Sequence, residues 1–282
     1  MKKLLALFLL MSQMLIVTAI AEEFKIRQPS EQEEIGSFAG GVRGNYLRLG
    51  GGFSYYDADY DRTYDLDYNA IGMDNYAPSA SLAFTGEWGD WNIFFSASKG
   101  VYEGSFVTQQ PIRLIHDDGE IPAGSNVDGT VEMGIYSLSG TYEIASDPTY
   151  NVAVGFGALI LDYSTEFKTT DESIGSDALF PMPYLALSGR KDINKFRFIG
   201  VGGAAYYNGE QDNLDYLVYF VTLDARAGYE FYKNEEYTST FYIGYRYLYM
   251  DSTASKNGSS YTEKDTYDGP FVNLTLKYTI FK

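Results

Sequence analysis

Residues 271–282 read FVNLTLKYTIFK, so that Val272, Leu274, Leu276, Tyr278 and Ile280 alternate with Asn273, Thr275, Lys277 and Thr279. A period of two marks a β-strand with one apolar and one polar face. The alternation recurs along the chain. Residues 79–88 set Ala80, Leu82, Phe84, Gly86 and Trp88 against Ser81, Ala83, Thr85 and Glu87, turn at Gly89-Asp90, and return through Trp91, Ile93, Phe95 and Ala97, which predicts a hairpin. Residues 216–232 put Leu217, Tyr219, Val221, Leu223, Ala225, Ala227, Tyr229 and Phe231 on one face and Asp224, Arg226 and Glu230 on the other. Residues 237–250 place Phe241, Ile243, Tyr245, Tyr247 and Tyr249 opposite Thr240, Tyr242, Gly244 and Arg246.

Other stretches fit less evenly. In 45–56, Leu47, Leu49, Gly51, Phe53 and Tyr55 are expected to face lipid, with Tyr46, Arg48, Gly50, Gly52 and Ser54 inward. In 130–144, Tyr136, Leu138, Tyr142 and Ile144 oppose Ser137, Ser139, Thr141 and Glu143, while Val131, Met133 and Ile135 hold the opposite phase. That change predicts a bulge near Gly134. Strands follow at 150–167, 179–190 and 196–207, the second expected to be irregular in its upper part, because Pro181 and Pro183 cannot donate to a ladder.

Short turns at 89–90, 145–149, 191–194 and 233–236 alternate with polar stretches at 57–78, 108–128, 168–177 and 252–268 and a shorter one at 209–215. Alternating strands joined by short turns at one end and longer loops at the other form the layout of a barrel in a membrane. The expected fold is all-β, a closed antiparallel up-and-down transmembrane β-barrel of about ten strands, with eight or twelve as alternatives. A soluble two-sheet sandwich is the competing fold.

Residues 1–21 carry Lys2 and Lys3, an apolar run from Leu4 and the small-x-small site Ala19-Ile20-Ala21, the pattern of a cleaved signal peptide. Residues 22–44 are polar, with Pro29 and Gly40-Gly41, and are expected to form a periplasmic lead-in to a barrel over 45–282. Beyond residue 21 no apolar run is long enough for a spanning helix, and lipid admits only helices and closed barrels. The expected location is the outer membrane of a Gram-negative-type bacterium.

The 27 tyrosines suit rings that keep an apolar body in lipid and a hydroxyl in water. Trp88, Trp91, Tyr229, Tyr237 and Tyr278, all beside short turns, are expected to form an aromatic girdle at one interface. With no cysteine, disulfides, thiolate metal sites, a cysteine nucleophile and a lipoprotein anchor are excluded. Net charge is −17, or −19 once Lys2 and Lys3 leave with the leader, which argues against nucleic acid as a partner. The expected partners are outer-membrane lipid and lipopolysaccharide and the barrel-assembly machinery, for a monomer without cofactors.

By phase, Arg48, Glu87, Glu143, Arg190, Asp224, Arg226, Glu230, Arg246 and Lys277 are expected in the lumen. Mixed signs at one height predict ion pairs plugging a narrow bore, the alternative being a charged constriction that selects solutes. The acidic loop from Asp57 begins like a calcium-binding loop, but Arg62 stands where glycine is needed and Tyr68 where glutamate is needed. His116 beside Asp117 is a candidate acid-base or metal pair, without a second histidine to complete it.

The runs 147–155 (DPTYNVAVG), 182–189 (MPYLALSG) and 276–279 (LKYT) resemble bacterial outer-membrane barrels and, more loosely, the omptins, ten-stranded outer-membrane proteases. The resemblance implies a carboxylate pair in the second outer loop, met here by Asp117 and Asp118, and an Asp-His pair in the fourth. The fourth loop, 209–215, has no histidine, and protease activity is not carried over. The sequence therefore predicts a non-enzymatic barrel, with an omptin-like hydrolase or a small open pore as alternatives.

Overall fold

The computed structural model describes residues 34–73, 75–115, 119–147, 149–211 and 213–281, and among them there is no helix. The strands are β1 (Glu34–Asp57), β2 (Arg62–Asp67), β3 (Tyr76–Trp88), β4 (Trp91–Val107), β5 (Asn126–Asp147), β6 (Tyr150–Lys168), β7 (Ser173–Ile193), β8 (Phe196–Gln211), β9 (Leu214–Lys233), β10 (Tyr237–Lys256) and β11 (Ser259–Phe281). They pair antiparallel in the order β11 to β3, then β1 and β2, and β11 pairs with β1 as well, closing a ring of ten with β2 as a short return strand against the top of β1. An even ring makes the first and last strands antiparallel, so Glu34 meets Phe281 at the short-turn end.

Around the lower half the outer face is apolar: Val42, Phe84, Phe156, Leu185, Ile243 and Leu274 are all more than half exposed. A surface of this kind needs hydrocarbon, not water, as its solvent. Aromatic pairs mark both edges of the band. Below lie Trp91 with Tyr142 at 5.2 Å and Tyr237 with Tyr278 at 5.1 Å; above lie Tyr46 with Tyr76 and Tyr206 with Tyr219, each at 5.1 Å. Eight residues of β10 separate Tyr237 from Tyr245, about 20 Å of height for a tilted strand, close to the apolar band of outer-membrane barrels.

Above the band two ladders part. β7 and β8 pair only from Tyr184 with Ala205 downward, and β3 and β4 only from Ala80 with Lys99 downward. The wall there becomes two sheets, β8-β9-β10-β11-β1-β2 and β4-β5-β6-β7, whose inner faces pack on each other. Phe53 of β1 meets Phe167 of β6 at 6.0 Å, Phe180 of β7 meets Tyr216 of β9 at 5.1 Å, and Tyr102 of β4 meets Tyr267 of β11 at 5.3 Å. Leu49, Leu161, Val218 and Met250 are buried among them. Outside, at this height, Lys99 pairs with Glu132 at 2.6 Å and Lys264 with Asp251 at 3.8 Å, so water surrounds this part.

Residues 108–115 and 119–125 cap the body with Ile112, Leu114 and Ile121. Arg113 staples them down: Nη1 donates to the buried Asp57 at 2.9 Å, Nε donates to Glu120 at 2.6 Å, and the guanidinium lies 4.7 Å over the Tyr60 ring. Asp57, the first residue of the calcium-like run, is thus engaged by an arginine.

Several expectations are corrected. Residues 34–44 are the first part of β1 and so of the barrel wall, because the glycines there pair with β11 and β3, and only the part of the lead-in before Glu34 lies outside the described residues, together with the signal peptide. The phase of β1 is the reverse of that expected: Leu47, Leu49, Phe53 and Tyr55 are buried inside, and Tyr46 and Arg48 face out. No bulge occurs at Gly134. Val131, Met133, Ile135, Ser137, Ser139 and Thr141 share the inward face, which changes from apolar to polar at the level of the band, and the β5–β6 register shifts instead between Glu143 and Ala145. Most of 252–268 is strand, closed by the two-residue turn Asn257-Gly258 with φ of 51° and 88°. Parts of 57–78, 168–177 and 209–215 are strand as well. β7 remains regular through Pro181 and Pro183, since both pair with β6 and face the seam where β8 makes no ladder and no donor is missed.

Candidate functional site within the closed barrel

The lumen below the dry core is polar because strands that turn an apolar face to lipid must turn their other face in. At its mouth Lys277 Nζ donates to Glu87 Oε2 at 2.6 Å, and Ser37 donates to the same oxygen at 2.7 Å. Arg197 makes two bonds to Asp192, at 2.8 and 3.1 Å, which Arg190 also approaches at 3.5 Å. Asn151 donates to Glu143 at 2.7 Å. Deeper, Arg43 Nη1 donates to Asp224 Oδ2 at 2.5 Å and Arg246 Nη2 reaches the same oxygen at 3.4 Å. Arg43 lies 4.1 Å over Phe271 and Arg226 lies 5.1 Å over Tyr242, so aromatic faces share in holding the guanidinium groups.

A second polar cluster sits inside the body above the band. Tyr261, Glu263, Asp265 and Tyr267 follow one another on the inward face of β11 and are buried. Glu263 Oε1 accepts from Tyr68 at 2.7 Å and lies 2.7 Å from Tyr163 Oη, which is 2.6 Å from Asp265 Oδ2; Tyr267 donates to that oxygen at 3.0 Å. None of the ion pairs among the described residues supplies a cation to either acid. Burial pushes the Glu263 carboxyl up, and burial together with the charge of Glu263 pushes Asp265 well up. Both acids are buried among tyrosine rings, and burial of this kind favours the protonated form of a carboxyl.

No family model matches the sequence. No curated protein is similar to it in sequence. The structure is similar to that of the outer-membrane protease OmpT from Escherichia coli, with a TM-score of 0.54 and 14% identity over 90% of this chain and 99% of that one. The fold is that of an outer-membrane β-barrel. More distant likenesses are the translocator domain of the autotransporter NalP from Neisseria meningitidis (TM-score 0.34, 11% identity, 95% of each chain) and the attachment invasion locus protein Ail of Yersinia pestis (0.32, 12%, 88% of this chain and 100% of that one).

In this outer-membrane barrel, omptin-like in topology, the charges expected inside divide as follows. Glu87, Glu143, Arg190, Asp224, Arg226, Glu230, Arg246 and Lys277 lie on inward-facing positions. Arg48 does not: it faces out and pairs with Asp268 at 3.4 Å, because β1 is in the opposite phase. Trp88, Trp91, Tyr229, Tyr237 and Tyr278 lie on the outer surface at the short-turn end, Trp88 edge-on to Phe38 at 4.8 Å. His116, Asp117 and Asp118 lie outside the described residues. Sequence reasoning missed Arg43, Asp192 and Arg197 in the lumen, and Glu263 and Asp265 above it. For the acids the signal was present: Asn257-Gly258 is the strongest short hairpin cue, and counting forward from it puts both on one face.

Proposed function

We propose that this chain is a non-conducting, non-enzymatic outer-membrane protein whose work is done at the cell surface by the body above the membrane. The observation that carries this reading is the dry core shared by the two upper sheets, which shuts the barrel axis above the lumen. A ten-stranded barrel has little bore to begin with, and here aromatic rings fill it. The omptin-like topology does not bring the chemistry along, since the sole histidine is His116 and the fourth outer loop has none. What faces outward is acidic and tyrosine-rich, with Tyr60, Asp59, Asp61, Asp65, Asp171 and Glu172 all exposed, a surface suited to envelope structure or to contact with a cationic partner.

The chain is expected to reach the outer membrane after loss of residues 1–21, to be inserted by the barrel-assembly machinery, and to stand as a monomer among outer-membrane lipid and lipopolysaccharide. Planar-bilayer recording on the refolded protein tests the reading. Silence over a range of salts is the expected result, and reproducible unit conductance steps would overturn it.

A further inference from the structure

Among the described residues the lumen is a blind well open at the short-turn, periplasmic end. Side-chain exposure falls from 33% at Glu87 and 25% at Arg190 and Arg197, through 15% at Arg246, to 7% at Asp224 and Arg43. Above those residues the dry core begins. At the floor Arg43 and Arg246 share Oδ2 of Asp224, the single carboxylate there, and Arg226, the next inward position of β9, lies 5.1 Å over the Tyr242 ring. Arg226 has no acidic partner among the ion pairs of the described residues. The other acids of the well are engaged or distant: Glu87 holds Lys277, Asp192 holds Arg197, and Glu230 is two inward positions further down β9.

Three buried atoms of this floor lack a partner: Arg226 Nε, Arg246 Nε and Asp224 Oδ1. The four side chains together carry an excess of two positive charges, and a buried excess of that size is costly without a counter-ion. Unpaired buried donors and acceptors in a native fold signal a bound water or ion.

We propose that the floor of the well binds a protonated oxyanion of the phosphate class, entering from the periplasmic end. Hydrogen phosphate matches on each count. Its two negative charges balance the excess, its oxygens accept from Arg226 and Arg246, and its one hydroxyl donates to Asp224 Oδ1. Sulfate has the same charge and nearly the same shape but no proton, so against Asp224 it sets one acceptor facing another. This assignment rests on the same dry core as the closed-barrel reading, which closes the well above, but its test is separate: conductance steps would overturn that reading, whereas anion titration decides this one.

The test is calorimetric titration of the intact barrel, refolded in detergent and checked for heat-modifiable migration, with inorganic phosphate and with sulfate at matched ionic strength. Phosphate is expected to bind at one saturable site, with sulfate about tenfold or more weaker. Arg226→Gln, which leaves the Arg43–Asp224 pair in place, is expected to lower phosphate affinity about tenfold or more. Absence of phosphate binding at millimolar concentration, equal affinity for the two anions, or unchanged affinity in folded Arg226→Gln would each overturn the assignment. The comparison of the two anions in the unmodified protein stands even where the variant does not refold.

Discussion

The Tyr163 hydroxyl has one proton and two carboxyl neighbours, Glu263 at 2.7 Å and Asp265 at 2.6 Å. It donates to one and must accept from the other, so one of the two acids holds a proton in the folded protein. Burial of both, and for Asp265 the nearness of Glu263, raises their affinity for that proton. A carboxyl whose folded pKa lies above its unfolded value binds more protons in the folded state across the interval between them. Its stabilisation is complete below the ordinary range of about 4 and is lost as pH rises through the raised value. Unfolding free energies from urea titration are therefore expected to fall with rising pH in the parent relative to Asp265→Asn, by at most about 1.4 kcal/mol per pH unit for one proton. A parent that gains on the variant as pH rises would contradict the shared proton. The residue types hid this cluster from sequence reasoning: Glu263, Lys264 and Asp265 in succession read as a solvated loop despite the Asn257-Gly258 hairpin cue before them, and pairing with Phe53, Gly52 and Gly51 of β1 makes them wall.

β6 contains the fold's main change of surroundings within one element. Phe156 is 72% exposed on its outer face, while Phe167, eleven residues on and on the other face, is fully buried. Phe167→Ala removes a ring from between two packed sheets and is expected to cost about 3–5 kcal/mol. Phe156→Ala loses contact only with lipid or detergent and is expected to stay within about 1 kcal/mol of the parent. Urea midpoints of the two refolded variants decide this, and equal losses would mean that both rings share one environment. The same change explains what was legible in the sequence. Alternation identified the strands wherever it ran, and in the band, where the greasy face looks at lipid, it gave the phases of β9, β10 and β11 correctly. Above the band the greasy face looks inward, and nothing in the period says so. Leu47 and Leu49 of β1 were therefore assigned to lipid, and the apolar inward run Val131, Met133 and Ile135 of β5 suggested a bulge that does not exist. In β1 the reversal is masked further by Gly50-Gly51-Gly52, where pairing passes from β3 to β2 and Gly51, at φ 109°, takes a backbone bend that a side chain would block against Lys264.

Across the whole molecule, one closed ring carries two solvents on its outside and two fillings on its inside. The lower half needs hydrocarbon to cover Val42, Phe84, Leu185 and Leu274, whereas the upper half keeps its apolar residues to itself and needs only water. Both expected folds, the membrane barrel and the soluble sandwich, are thus present in sequence, stacked along the axis, and the competing reading failed only in claiming the whole chain. The arrangement makes the stability of the two halves depend on different things. Amides in the spanning part of β11, around Val272 to Leu276, are protected by a ladder whose outer side chains rest on lipid. Those around Val131 to Ile135 and Tyr261 to Tyr267 are protected by packing between sheets. Hydrogen exchange in a short-chain detergent and in a lipid bilayer disc is therefore expected to differ by segment. Peptides from the band gain protection on transfer into lipid, and peptides from the upper body exchange at the same rate in both. A uniform gain along the chain would show that the upper body leans on the membrane too, and that its core does not stand by itself.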